Sequence, residues 1–183
     1  AGLEAAAKVQ PVPVSEAVLA DCLDYLKGRL RGLFIESGHR YDVVDAVLAE
    51  RGHDPALARQ AIGELSAWVA KPDWPQTLAS YARCVRITRE FTQTFDLHPE
   101  AMTEPSEVAL YEAYQPVARA VARARSLDQF FAAFTPIIPA VSKFFEDVLV
   151  MHEDRAVRAN RLGLLQRIAA LTKGIADLSK LEG

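Results

Sequence analysis

The last forty or so residues of this chain carry the pattern that decides its fold. Residues 144–150 read Phe-Phe-Glu-Asp-Val-Leu-Val, residues 158–165 read Arg-Ala-Asn-Arg-Leu-Gly-Leu-Leu, and residues 177–181 read Asp-Leu-Ser-Lys-Leu. An acidic turn that reaches Asp154 separates the first two stretches. After this turn, apolar side chains recur at intervals of three or four residues, which is typical of an amphipathic helix. The sequence therefore predicts a final helix from about Asp154 to about Asp177.

The same spacing predicts helices over most of the remaining chain. Residues 95–104 have no such period and read as a loop, and a Val-rich stretch at 41–48 leaves a strand as an alternative, although its valines do not alternate. The other predicted helices run from Ser15 to about Gly38, Tyr41 to Leu48, Asp54 to Val69, Pro75 to about Thr94, Pro105 to Val121, and Ser126 to about Asp147 with a break or kink at Pro136 and Pro139.

This succession of helices decides the expected fold class. The sequence has no glycine-rich phosphate loop, no alternation of strands and helices, and no internal repeat. We therefore expect an all-α fold, a bundle of six to eight helices. The bundle should comprise residues 15–183, and the Ala-rich residues 1–14 should form a linker or a frayed N-terminal segment.

The composition excludes several classes of protein. Half of the 183 residues are hydrophobic and a quarter are charged, as in ordinary globular domains. No run of 18 uncharged apolar residues exists, so we expect no membrane span. Cys22 and Cys84 are far apart and no export signal precedes them; a disulfide is possible, but two buried thiols in a reducing cytoplasm are the expected state. Neither cysteine, nor any histidine, has metal-ligand spacing, so we expect no metal site.

The charges are distributed unevenly along the chain. Residues 1–114 carry 11 basic and 17 acidic side chains, whereas residues 115–183 carry 10 basic and 7 acidic ones. Arginine outnumbers lysine 15 to 6. The planar guanidinium group suits bidentate contacts with phosphate and stacking on bases, so this bias is compatible with a nucleic-acid partner. High arginine usage also follows from GC-rich coding, and the net charge of −3 argues against a highly basic nucleic-acid binder.

The final helix holds three candidate arginines. Arg155 and Arg158 lie near its start, where a cation opposes the helix dipole, so their placement does not serve helix stability. Contact with phosphate or bases is one interpretation. Arg161 instead projects from the apolar stripe, and a buried guanidinium group must be paired. Two alternatives stay open for it: contact with RNA, or an ion pair with a carboxylate such as Glu146, Asp147 or Asp154.

A second candidate cluster lies on the helix predicted from Pro75. Arg83 and Arg86 share a face at a spacing of three residues, and Tyr81 is close to them. An aromatic ring beside two guanidinium groups can clamp an unpaired base, which is how single-stranded RNA loops are usually read. The alternative is a solvated helix face on which Arg86 pairs with Glu90.

These stretches together resemble the C-terminal end of the bacterial glycyl-tRNA synthetase β subunit. The family pattern has two Phe, an acid and an apolar run, then Arg-x-Asn-Arg-Leu-x-Leu-Leu, and finally Asp-x-Ser-x-Leu. All three parts occur at 144–150, 158–165 and 177–181. Residues 38–48, Gly-His-Arg-Tyr-Asp-Val-Val-Asp-Ala-Val-Leu, resemble the first helices of the same family. The resemblance covers nearly the whole chain.

The resemblance implies a function. It implies a helical anticodon-binding domain similar to that of class I arginyl-tRNA synthetase, with glycine tRNA and a separate catalytic α subunit as partners. ATP-dependent glycyl-tRNA formation would then take place on that subunit, and we expect no catalytic residues and no cofactor here. The alternative is a helical protein–protein module that docks the α subunit. The candidate tRNA-binding residues are Tyr81, Arg83, Arg86, Arg155, Arg158, Asn160 and Arg161.

Overall fold

Helices account for almost all of the regular structure in the computed structural model, which describes residues 2–182. No strand occurs in that range. From residue 15 onward there are eight α-helices, so the predicted all-α class and the predicted helix number are confirmed. The α-helices are α1 Gly2–Ala7, α2 Glu16–Glu36, α3 Tyr41–Arg51, α4 Pro55–Val69, α5 Trp74–Thr88, α6 Pro105–Val121, α7 Leu127–Phe134, α8 Ile138–Asp147 and α9 Arg155–Ala169, with short 3-10 helices at Pro99–Ala101, Thr135–Ile137, Ala170–Thr172 and Leu178–Lys180.

Side-chain caps begin several of these helices where the sequence predicts them. The Ser15 hydroxyl accepts a hydrogen bond from the Val18 N–H, and the Ser126 hydroxyl accepts one from the Gln129 N–H. Asp54 accepts from the N–H groups of residues 56 and 57 in the same way. Each acceptor satisfies a backbone donor that the first turn of a helix leaves unpaired. After α2, Gly38 takes a φ of 92°, which favours glycine.

Two predicted helices are too long. The helix from Pro75 was expected to reach Thr94, but α5 ends at Thr88, and the following loop is held by α9 through a hydrogen bond from the Phe95 N–H to Gln166. The last helix was expected to reach Asp177, but α9 ends at Ala169 and tightens into a 3-10 turn. After α5 the loop is held by a tertiary contact, whereas after α9 Gly174 takes a φ of 76°, a left-handed conformation that stops the helix before Asp177.

Residues 2–66 together with 174–182 form one compact unit. Its core includes Val43, Val44 and Val47 of α3, which are fully buried. The C-terminal segment returns to α3, where the Asp177 N–H donates to the Ala46 carbonyl at 2.9 Å and the Glu182 N–H donates to a carboxylate oxygen of the buried Asp42 at 3.0 Å. That residues 1–14 form a linker or frayed segment outside the helical bundle of residues 15–183 stays a prediction.

Several apolar side chains of helix α2 are exposed to solvent. Phe34 is its only buried residue. Val18, Tyr25 and Leu33 are 48%, 69% and 57% exposed. The prediction that Cys22 is buried is wrong: it lies among the exposed apolar side chains of α2 and is an exposed free thiol.

Residues 67–173 form the second compact unit. Its centre is aromatic: Phe130, Phe131, Phe134 and Phe144 are fully buried. Cys84 lies in this unit as a free thiol, and burial raises its pKa to about 12, so the group is neutral at physiological pH.

Among residues 2–182, none of the helices has the length and the apolar character needed to span a bilayer.

Candidate nucleic-acid interface

Asn160 lies on the buried side of α9, where its amide group makes two hydrogen bonds to one residue of the loop after α5. Its oxygen accepts from the His98 N–H at 2.7 Å, and its nitrogen donates to the His98 carbonyl at 2.9 Å. Its side chain therefore pairs with both backbone groups of His98, whose carbonyl also accepts from the Ala101 N–H in the following 3-10 turn. In this structure Asn160 holds the loop in place.

Arg161 is paired inside the second unit. Its guanidinium group donates to the carboxylate of Glu107 and to the Leu149 carbonyl. Both charged side chains are almost completely buried. The partner carboxylate comes from the first turn of α6, not from Glu146, Asp147 or Asp154 as the sequence suggests, because α6 lies directly against α9 at this point.

Glu107 has further donors besides Arg161. Its other oxygen accepts from the N–H groups of Thr103 and Glu104, which completes a capping box at the start of α6. Burial by itself would raise the pKa of Glu107. The hydrogen bonds from Arg161 and from the two N–H groups outweigh burial and hold the pKa below its ordinary value. Arg161 therefore joins α6 and α9 to the connection between α8 and α9, which includes Leu149.

The same face of α9 also contacts the loop at Gln93–Asp96. Gln166 accepts from the Phe95 N–H and donates to the Gln93 carbonyl, while Arg167 donates to the Phe95 carbonyl. Gly163 lies so close that a Cβ atom there would be 2.8 Å from the Asp96 carbonyl oxygen. The middle and end of α9 thus bind the backbone of this loop.

Tyr81 is also turned inward. It is 6% exposed, its ring packs edge-on against Phe134, and its hydroxyl is hydrogen-bonded to Thr172 at 2.6 Å. Tyr81, Asn160 and Arg161 therefore all have internal partners. The structure does not bring Tyr81 to the same surface as Arg83 and Arg86, although all three lie on α5.

Arg83 and Arg86 line an open groove of about 430 Å³. Both are exposed, and α8 contributes Phe145 to the same groove. The guanidinium carbon of Arg83 lies 4.4 Å from the centroid of the Phe145 ring, a cation–π arrangement. Glu90 also lines the groove, but in the described part of the chain it forms no ion pair with Arg86.

Arg155 and Arg158 lie in the first turn of α9, which Asp154 caps by accepting hydrogen bonds from the N–H groups of Ala156 and Val157. Arg155 is exposed, and Arg158 is half-buried with a hydrogen bond to the His152 carbonyl at 3.3 Å. Neither arginine lines the groove of Arg83 and Arg86. The four candidates without a buried position therefore do not share one groove.

Four residues of the groove escaped the sequence reasoning, among them Ile87 of α5. Phe91 and Met151 come from loops, and Phe145 reads as part of the aromatic core, yet all three line the groove. Phe145 lies four residues after the buried Val141 on α8, so the helical period places it at the edge of the core face. No sequence signal therefore marks Phe145 or the two loop residues as groove residues. In residues 2–182 no group of three or more potential ligand side chains could hold a metal ion.

Comparison with known proteins agrees with this architecture. Residues 77–179 match the DALR anticodon binding domain. The chain is 34% identical to the glycine–tRNA ligase β subunit of Anaeromyxobacter dehalogenans strain 2CP-C, over 98% of this chain and 26% of that protein. It is 34% identical to the β subunit of Moorella thermoacetica, over 91% of this chain and 24% of that protein. It is 32% identical to a chloroplastic/mitochondrial glycine–tRNA ligase of Arabidopsis thaliana, over 99% of this chain and 17% of that protein.

These matches confirm the resemblance stated from the sequence motifs. The chain spans about a quarter, or less, of the length of these curated relatives. The matched domain covers α5 to α9 and includes all seven candidate residues. Since that match extends over more than half of its residues, the chain belongs to the DALR anticodon binding domain family.

Proposed function

We propose that this chain binds the anticodon region of glycine tRNA as a domain of a glycine–tRNA ligase β subunit. In this role it would support ATP-dependent formation of glycyl-tRNA on a separate catalytic α subunit. The family match and the names of the relatives support the assignment. We place the role in the cytoplasm, a reducing compartment in which the free Cys22 and Cys84 stay as thiols.

One observation carries the proposal: the family domain displays arginines that no carboxylate neutralises. Within residues 2–182, Arg83, Arg86 and Arg155 are exposed and take part in no ion pair. Guanidinium groups in this state are available to phosphates, and each phosphate contact releases counterions, so binding should weaken as salt rises. Tyr81, Asn160 and Arg161 stay in the proposal only as residues that shape the scaffold behind this surface.

Arg155→Ala is expected to weaken the binding of glycine tRNA at every salt concentration. It should also lower the slope of log affinity against log salt by about one, because one phosphate contact is lost. Fluorescence anisotropy titrations between low and moderate salt measure both quantities. Arg29→Ala on α2 is the matched control, since Arg29 is an exposed arginine outside the matched domain. Equal affinities of Arg155→Ala and the unaltered chain would remove Arg155 from the interface.

An anticodon-altered glycine tRNA tests where on the tRNA the domain binds. If the domain reads the anticodon, the altered tRNA should bind more weakly at both of two salt concentrations, because base contacts persist when phosphate contacts are screened. Equal binding that falls steeply with salt would show non-specific attraction and contradict the anticodon assignment.

The second candidate function, docking of the catalytic α subunit, is favoured by the exposed apolar side chains of α2. Tyr25 and Leu33 are more than half exposed, and clusters of such residues often mark protein contacts. We expect Tyr25→Ser with Leu33→Ser to reduce capture of the α subunit without tRNA present, while tRNA affinity stays unchanged. Undiminished capture by this double variant would exclude α2 as the docking surface.

A further inference from the structure

We propose that the groove beside Arg83 holds one unpaired RNA base and favours a base with an exocyclic amino group. This inference rests on the proposed tRNA-binding function and names the site and the ligand chemistry. The groove brings together three kinds of group that base recognition needs: guanidinium groups, aromatic rings and one carboxylate. They come from three different segments, α5, the loop after it, and α8 with the connection that follows.

The first part of the evidence is a preformed stacking surface. The guanidinium carbon of Arg83 lies over the ring of the half-buried Phe145, 4.4 Å from the ring centroid, so the two groups already form a cation–π contact. Arginine planes and aromatic faces are the two surfaces on which unpaired bases stack in RNA-binding proteins. Because the Arg83 side chain is exposed, a base can extend this stack from the solvent side.

The second part is the shape of the groove and its lining. Its volume of about 430 Å³ falls within the range of roughly 300–1,000 Å³ that is usual for small-ligand sites. Phe91 and Met151 supply further apolar surface, and Met151 is 46% exposed. Phe91 is held in turn by an edge-on contact with Phe95, whose backbone is fixed by Gln166 and Arg167. The aromatic lining of the groove at Phe91 is therefore itself held in place by neighbouring residues.

The third part is the carboxylate of Glu90. It lines the same groove, is exposed, and has no ion-pair partner among the described residues. A carboxylate repels phosphate but accepts hydrogen bonds from amino groups such as the N4 amino group of cytosine. Uracil has a carbonyl group at the equivalent position and cannot donate there. Arg86 remains available for the phosphate that follows the base.

Two hexaribonucleotides whose bases differ only at the 4-substituent and at N3 test the selectivity. Oligocytidylate is expected to bind the chain about fivefold or more tightly than oligouridylate, as measured by fluorescence anisotropy. Glu90→Ala should abolish this difference without weakening oligouridylate binding. Tighter binding of oligouridylate, or a preference that Glu90→Ala leaves intact, would overturn the selectivity.

The location of the base can be read from the two methionines of the chain. With methionine labelled as ¹³C-methyl, oligocytidylate should shift the Met151 methyl signal through the ring current of the bound base. The Met102 signal should stay in place, because Met102 lies beside Asn160 and Arg161, away from the groove. A shift of Met102 with no shift of Met151 would contradict the assignment.

Two variants separate stacking from charge. Arg83→Lys keeps the positive charge but loses the planar group, and Phe145→Leu keeps an apolar side chain but loses the ring. Each should weaken oligocytidylate binding about 5- to 100-fold, the effect usual for loss of a stacked base, while the salt dependence stays unchanged. Tryptophan fluorescence verifies that each variant folds, since both tryptophans lie in the second unit.

The outcomes distinguish this inference from the proposed function. Binding of glycine tRNA that is indifferent to Arg83→Lys and Phe145→Leu, with no Met151 shift, would overturn the base site and leave the tRNA assignment standing. Binding of oligocytidylate in the groove without any binding of glycine tRNA would support the site and overturn the assignment. Absence of binding to both ligands would overturn both.

Discussion

Arg161→Met is expected to destabilise the second unit by about 3–5 kcal/mol, because it leaves the Glu107 carboxylate buried without its cation. Glu107 is 4% exposed and Arg161 is 6% exposed, so water cannot replace the lost partner at little cost. The Leu149 carbonyl would lose its donor as well. A loss of this size is a large part of the total stability of an ordinary domain, roughly 5–15 kcal/mol. Urea unfolding followed by tryptophan fluorescence measures it, since Trp68 and Trp74 both lie in this unit.

A second substitution tests whether the unpaired charge is the cause. Glu107→Gln in the Arg161→Met background removes the buried charge but keeps an oxygen that can accept from Thr103 and Glu104. The double variant should therefore be more stable than Arg161→Met alone. If the double variant is no more stable, the lost packing of the Arg161 side chain, and not the stranded carboxylate, would explain the damage.

The ion pair also has a pH dependence of definite sign. Because the folded-state pKa of Glu107 lies below its ordinary value of 4.5, the stabilisation is fully present above pH 4.5 and is lost as the pH falls through the folded-state pKa. Asp154 also has a lowered pKa, owing to the N–H groups of Val157 and Ala156, and contributes in the same direction. The unaltered chain should therefore lose stability on acidification more steeply than Glu107→Gln. Parallel curves would contradict this assignment.

Gly163→Ala is expected to destabilise the second unit by about 1–3 kcal/mol, the usual cost of overpacking. The added methyl group would lie 2.8 Å from the Asp96 carbonyl oxygen and 3.0 Å from the Phe95 carbonyl oxygen. These are backbone atoms, and Arg167 holds the Phe95 carbonyl by a hydrogen bond, so they cannot move aside as a flexible side chain would. Differential scanning calorimetry measures the change.

The expected destabilisation by Gly163→Ala is opposite in sign to the usual effect of Gly→Ala in a helix. In an exposed helix interior, Gly→Ala normally stabilises a protein by up to about 1 kcal/mol, because alanine has the better helix propensity. Gly63→Ala in α4 is the matched control, since nothing lies within 4 Å of a Cβ atom there. We expect the control to raise the unfolding temperature and Gly163→Ala to lower it. A rise for both variants would show that the loop at Phe95–Asp96 yields easily.

Local chemistry was enough to predict most of the helices. Ser15, Asp54 and Ser126 mark helix starts because their side chains accept hydrogen bonds from residues two or three positions ahead, which is a purely local relation. The end of α5 could not be predicted in this way, because its apolar period continues and the following loop is held by Gln166, 71 positions after Phe95. The end of the last helix has a local signal that the sequence reasoning missed, Gly174, which takes a φ of 76°.

Local spacing predicted the position of some candidate residues, and contacts between distant segments decided the position of the others. The spacing of Arg83 and Arg86 placed them on one helix face, and the structure shows both at one groove. Spacing could not show that Arg161 pairs with Glu107, which lies 54 positions earlier in the chain. Nor could it show that Asn160 binds the backbone at His98 or that Phe145 supports Arg83, since these contacts join separate segments.

The sequence by itself determined the all-α class, the helix starts, the family and the excess of arginine near the C-terminal end, because propensity, capping and motif matching depend on neighbours along the chain. Only the tertiary structure decided which of those arginines face solvent. The packing of α6 and the loop at Gln93–His98 against α9 buries Arg161 and Asn160 and leaves Arg83, Arg86 and Arg155 outside. Burial depends on the approach of distant segments, and a one-dimensional pattern does not record that approach.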